Sequence, residues 1–158
     1  MSQVWGPASA RPLPRLLASL PCEDAAVSVG LGDGRVTLER VFFDLYAGAF
    51  PAGFDRLVIA CLWTGGEGEY KVEVRLVAPD GVEVGRGGAS LTARPEPATT
   101  ALVIYFAGLA LPAPGRYTVE VLLGGAAVHS YGLHAVLIEQ AAAAKPEKED
   151  EKEERSAK

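Results

Sequence analysis

The stretch Leu57–Gly66 reads LVIACLWTGG. Leu57 to Trp63, seven residues in a row, are apolar; Arg56 precedes them and Thr64-Gly65-Gly66 closes the run. That length fits a β-strand. A strand with one wet face alternates apolar and polar residues, and this one does not. Leu57, Ile59, Cys61 and Trp63 fall on one face, Val58, Ala60 and Leu62 on the other. Both faces need a cover.

The neighbouring sequence shows what kind of fold holds this strand. Tyr70–Val77 (YKVEVRLV) alternates, with Tyr70, Val72, Val74 and Leu76 inward and Lys71, Glu73 and Arg75 toward water. Ala78-Pro79-Asp80-Gly81 is a hairpin turn, because proline presets φ and glycine accepts the left-handed position. Val82–Val84 starts a return strand that Gly85–Gly88 (GRGG) loosens. Ala89–Ala93 is a further short strand, and Arg94–Pro97 (RPEP) a loop. Thr100–Leu109 is the second doubly apolar strand. Tyr117–Leu123 alternates, Gly124-Gly125 turns the chain, and Ala126–Ile138 returns. Val36–Tyr46 forms one strand with a bulge near Glu39-Arg40. Arg15–Ala26 reads as helix or strand, interrupted at Pro21. Thr64–Glu69 (TGGEGE) is a loop between strands. About eight strands with turn signals every 8–12 residues predict an all-β, antiparallel, immunoglobulin-like β-sandwich.

The 158 residues divide into a flexible N-terminal arm (1–14), a β-sandwich domain (15–139) and an alanine-rich, then charged, disordered tail (140–158). The composition is 49% hydrophobic, enough for a core. The net charge is −5 and the basic residues are scattered. A nucleic-acid partner, which needs a concentrated basic surface, is not expected. The longest apolar stretch, Ala101–Leu111, stops at Pro112 and is far short of the roughly 20 residues of a membrane-crossing helix. The N-terminus makes a poor signal peptide, so the expected location is cytoplasmic.

The run Asp33–Gly81 carries a recognisable arrangement. Cys22-Glu23 stands before it, and GRVTL follows at Gly34–Leu38. Then come Val41-Phe42, Phe50-Pro51, TGGEGE at Thr64–Glu69, VRLVAPDG at Val74–Gly81 and PGRYTVEVLLGG at Pro114–Gly125. Over roughly residues 15–138 the chain resembles a bacterial family of small β-sandwich proteins classed only as a domain of unknown function. The resemblance implies a β-sandwich and a cytoplasmic bacterial protein. It implies no reaction and no catalytic residues.

The residues themselves carry no familiar chemistry. His129 and His134, five apart on one strand, point to opposite faces and share no metal. Cys22 and Cys61 form no CxxC pair and read as two thiols. No serine sits in a GxSxG turn. TGGEGE lacks the lysine and the following helix of a phosphate cradle. No catalytic residue, cofactor or metal is expected, and the chain is not read as an enzyme.

What remains is the second face. Phe42, Val58, Ala60, Leu62, Val103 and Tyr105 would form one apolar patch if their strands are neighbours in one sheet. Leaving it in water invites association. The expected cover is a second copy or another protein. The alternative cover is the N-terminal segment, with Leu13, Leu16, Leu17 and Leu20 laid across the sheet. The expected function is that of a non-enzymatic interaction protein, a homo-oligomer or a partner-binding module. The alternative is a small-ligand or carbohydrate-binding module using strand-end loops and Trp63.

Overall fold

The computed structural model describes residues 11–27 and 35–138. Most of the 1–14 arm and all of the 140–158 tail therefore lie outside the described residues. The described chain is all-β. Its strands are β1 (Arg15–Val27), β2 (Val36–Val41), β3 (Asp44–Ala47), β4 (Ala52–Val77), β5 (Glu83–Leu111), β6 (Gly115–Leu123) and β7 (Ala126–Leu137).

They form one mixed seven-stranded sheet in the order β2-β1-β4-β6-β7-β3, with β5 paired to β4. All pairs are antiparallel except β3 with β7, which is parallel. This corrects the expected count of about eight strands and the purely antiparallel pairing.

The corrections have local causes. TGGEGE does not end a strand; β4 runs through it with register shifts at Thr64/Gly65 and Gly65/Gly68. Gly65, Gly66 and Gly68 all have positive φ there. A Cβ on Gly66 would also lie 2.8 Å from the Pro14 nitrogen, so only glycine lets the start of the chain lie on this bend. RPEP likewise stays within β5. The expected single strand Val36–Tyr46 is two strands, β2 and β3, with Arg40 at φ 57°. Arg15–Ala26 is strand, and Pro21 lies inside it, paired with Ile59.

The bend divides β4 in two. The first half pairs with β1 and the second half of β5; the second half pairs with β6 and the first half of β5. Leu57, Ile59, Cys61 and Trp63 from the first half share one hydrophobic cluster with Val72, Val74 and Leu76 from the second. Leu91, Ile104, Phe106, Tyr117, Val119, Val121 and Leu133 complete its centre. GRGG is not a loosened stretch but a close approach: a Cβ on Gly87 would come 2.7 Å from Ile104 Cγ2.

The two ends of the sheet are tied by two consecutive residues. The Phe42 N–H donates to the Pro21 carbonyl in β1 (3.1 Å), and the His134 N–H in β7 donates to the Phe43 carbonyl (2.9 Å).

Candidate interaction face

The registers of β1, β4 and β5 place nine side chains on the outer face of the first half. The rows are Cys22–Val58–Tyr105, Leu20–Ala60–Val103 and Ala18–Leu62–Ala101. Residues directly opposite in a sheet share a face, so this is one patch. It contains no charged side chain.

The chain covers part of it itself. Val58 is 0% exposed and forms a second, small cluster with Cys22 and Ala25. Val36 and Leu38 of β2, together with Val103, pack against that cluster. Burial of a valine under such a cover is worth about 1.5–3 kcal/mol. Ala60 is 3% exposed. Ala18, Leu20, Leu62, Ala101 and Val103 are half-buried, and Tyr105 is 51% exposed. The Tyr105 hydroxyl donates to the Ala25 carbonyl (3.4 Å). The Arg56 guanidinium lies 5.5 Å from its ring centre and pairs with Asp24 at 3.1 Å.

Of the six residues singled out in the sequence, five therefore lie together on this face. Two of the five, Val58 and Ala60, are buried within the single chain, leaving Leu62, Val103 and Tyr105 accessible in part. Phe42 is elsewhere: it is half-buried against the main cluster at the seam between β2 and β3. Sequence reasoning missed Ala18 and Leu20 as members of the face. The signal was the spacing Ala18, Leu20, Cys22, two residues apart. β1 lies beside β4 in the sheet, so Leu20 widens the face where it was expected to cover it.

The other candidate groups are accounted for. Cys22 and Cys61 are both buried and unbridged, on opposite faces of the sheet. Burial pushes the Cys61 thiol up to about 11, against a contact with Ser19 Oγ at 3.7 Å. Burial also raises Cys22. Ser19 Oγ lies 3.1 Å from the Tyr131 hydroxyl, which burial likewise raises. His134 Nδ1 is 3.8 Å from Asp44, and His129 stacks at a tilt on Tyr131. Glu69 accepts hydrogen bonds from Ser90 and Thr92. Among the described residues no group of three or more His, Cys, Asp or Glu could hold a metal ion, and no helix is long and apolar enough to cross a membrane. Trp63 is 1% exposed in the main cluster and offers no stacking platform. A cleft of about 580 Å³ opens at the seam, lined by Phe42, Tyr46 and Phe54 and by Glu39, Asp44, Asp55 and Arg56 among others.

Residues 17–136 match the model of a family of unknown function, DUF6941. The chain belongs to that family. The resemblance read from the sequence thus leads to a family of unknown function. No curated protein matches this chain. Among solved structures the chain is similar to the Pseudomonas fluorescens alkylpurine DNA glycosylase AlkC bound to DNA containing an abasic site analog. The identity is 16% over 60% of this chain and 28% of that one, with a TM-score of 0.37. A likeness at that level carries no inference about fold or function.

Proposed function

We propose that this member of DUF6941 is a non-enzymatic interaction protein that associates, with itself or with a protein partner, through the outer face of the first half of the sheet. The observation that carries the reading is the nine-residue apolar grid, in which the described residues bury Val58 and Ala60 but leave Leu20, Leu62 and Val103 half-buried and Tyr105 exposed. An uncovered, charge-free patch on a folded surface is a protein-binding feature.

The test is solution mass by light scattering, on the full chain and on a Leu20→Lys/Leu62→Lys variant. Both positions are half-buried; Leu20 pairs with Ala60, and Leu62 lies between Ala18 of β1 and Ala101 of β5. The expected result is an assembly that loses mass in the variant while its melting temperature stays within a few degrees. Equal mass in both proteins would overturn the reading.

An immunoglobulin-like sandwich is our reading of how the halves of the sheet lie, supported by the single cluster that both halves share. A cytoplasmic, bacterial protein is our reading of its setting, supported by two unbridged cysteines and the family resemblance.

One observation favours a second reading, a small-ligand or carbohydrate-binding module. The cleft at the seam is lined by aromatic rings and carboxylates, the groups that sugars and organic cations use. A thermal-shift screen against sugars and amines tests it, because a ligand of the native state raises the melting temperature. No shift with Tyr46→Ala and wild type alike would remove it.

A further inference from the structure

We infer, resting on the ligand-binding reading, that the cleft at the seam takes a small organic cation: a protonated nitrogen on an apolar body. Neutral sugars and anions are excluded as its main ligands.

The cleft opens where two neighbouring strands part. β1 pairs with β4 from Arg15↔Thr64 to Cys22↔Val58 and no further. Past Cys22, β1 stays with β2, through Asp24↔Glu39 to Val27↔Val36. The start of β4, Ala52–Leu57, stays with β5. The chain that crosses from β2 to β3 lines the gap with Phe42, Leu45 and Tyr46. The backbone bonds of Phe42 to β1 and of Phe43 to β7 hold that crossing in place. The resulting volume of about 580 Å³ lies within the ~300–1,000 Å³ of ordinary ligand pockets.

Charge and aromatic surface together choose the ligand. The lining holds five carboxylates, Glu23, Asp24, Glu39, Asp44 and Asp55, against one guanidinium, Arg56. Two of the five are already answered, Glu23 by Arg40 at 3.0 Å and Asp24 by Arg56 at 3.1 Å. Asp44 has His134 at 3.8 Å. Glu39 and Asp55 form no ion pair among the described residues. Carboxylates alone would be a solvated surface. Here they share a concave site with three aromatic rings, Phe42, Tyr46 and Phe54, and Tyr46 is 58% exposed. Ring faces attract a cation through their quadrupole and take its apolar body by contact. A neutral sugar in the cleft would strip water from Glu39 and Asp55 and return no charge. An anion would be repelled by them. A cation pairs the carboxylates and covers the rings at once.

The experiment is an NMR titration of the full chain at neutral pH with three probes. Benzylamine is protonated there, benzyl alcohol matches it in size without the charge, and glucose stands for the neutral sugars. Benzylamine should bind about tenfold tighter than benzyl alcohol. The preference should shrink toward about 1 M salt, where the Debye length falls to about 3 Å. A Glu39→Gln/Asp55→Asn variant, changed at two exposed positions, should keep its melting temperature and lose the preference. Tyr46→Ala should weaken both benzyl compounds. Benzyl alcohol or glucose binding as tightly as benzylamine would overturn the cation and leave the ligand-binding reading standing. A preference that survives in the Glu39→Gln/Asp55→Asn variant would put the cation elsewhere and overturn the site. No binding of any of the three would overturn the cation and the ligand-binding reading together.

Discussion

The two halves of β4 have nearly the same inner face and opposite outer faces. Inward, Leu57, Ile59, Cys61 and Trp63 meet Val72, Val74 and Leu76 in one cluster. Outward, the second half carries Lys71, Glu73 and Arg75. Glu73 pairs with Arg86 at 3.3 Å, while Arg75 reaches Glu83 at 3.3 Å and bonds Glu120 on the far side. The first half carries Val58, Ala60 and Leu62 there. A half-polar strand is finished by water. A doubly apolar strand needs protein on its second face; within the described chain Val58 and Ala60 are buried there, while Leu62 stays half-buried. The two halves thus differ in their outer faces and not in the inner core that both share.

The largest effect should come from the shared side. Trp63→Ala removes a side chain that is 1% exposed and should cost about 4 kcal/mol in denaturant unfolding. A loss below about 1 kcal/mol would mean that the first half does not anchor the common cluster. The next prediction divides one face within four residues. Val58→Lys puts an unpaired charge under β2 and should cost several kcal/mol, of the order of 3. Leu62→Lys, at a half-buried position on the same face, should cost less than about 1 kcal/mol. Equal losses would erase the distinction between covered and uncovered rows.

Cys61 gives a smaller, pH-dependent effect on the inner side. Its thiol is raised from 9.0 to about 11 by burial. Below pH 9 both folded and unfolded chains hold the proton, and the stability is fully present. Between pH 9 and pH 11 the unfolded chain releases it while the folded one does not, so stability falls as pH rises. The loss attributable to this group is of the order of 3 kcal/mol. Cys61→Ala should flatten that part of the pH profile in thermal unfolding. An unchanged slope would assign the dependence to Tyr131 and Cys22, which burial also raises.

The alternating strands were legible because period two survives any bend. Tyr70–Val77 and Tyr117–Leu123 stand where the pattern put them, and Ala78–Gly81 and Gly124-Gly125 turn as their residues require. The doubly apolar character of Leu57–Trp63 was legible too. The strand count was not. Glycine and proline clusters signal a change of direction, and at TGGEGE and RPEP the change is a bend inside a long strand. The hydrogen bonds to β4 and β5 continue past both. The sequence pattern also placed Val36–Tyr46 in one strand. The irregularity at Arg40 lets β2 and β3 join opposite ends of the sheet, a choice made by partners far away in sequence. For the same reason Phe42 was assigned to the wrong surroundings, and Ala18 and Leu20 were read without their sheet neighbours.

The smallest change in stability should come from making one half resemble the other. Glu73→Val with Arg75→Val gives the second half an apolar outer face like that around Ala60. The Arg75 and Glu83 side chains are each 34% exposed, and ion pairs so close to solvent hold little folding free energy. The melting temperature should therefore move by a few degrees at most, and less in 1 M salt. Solubility should respond instead. The new apolar strip would adjoin Arg86 and Glu120, now without their partners on β4. Two chains could bury the strip only by desolvating those charges. The variant should therefore associate without a fixed stoichiometry, as a broad mass distribution, whereas the natural face is expected to give one assembly. A single sharp mass would show that apolar residues alone suffice for a defined assembly. A broad one would show that a defined assembly needs an apolar face free of unpaired charges at its border.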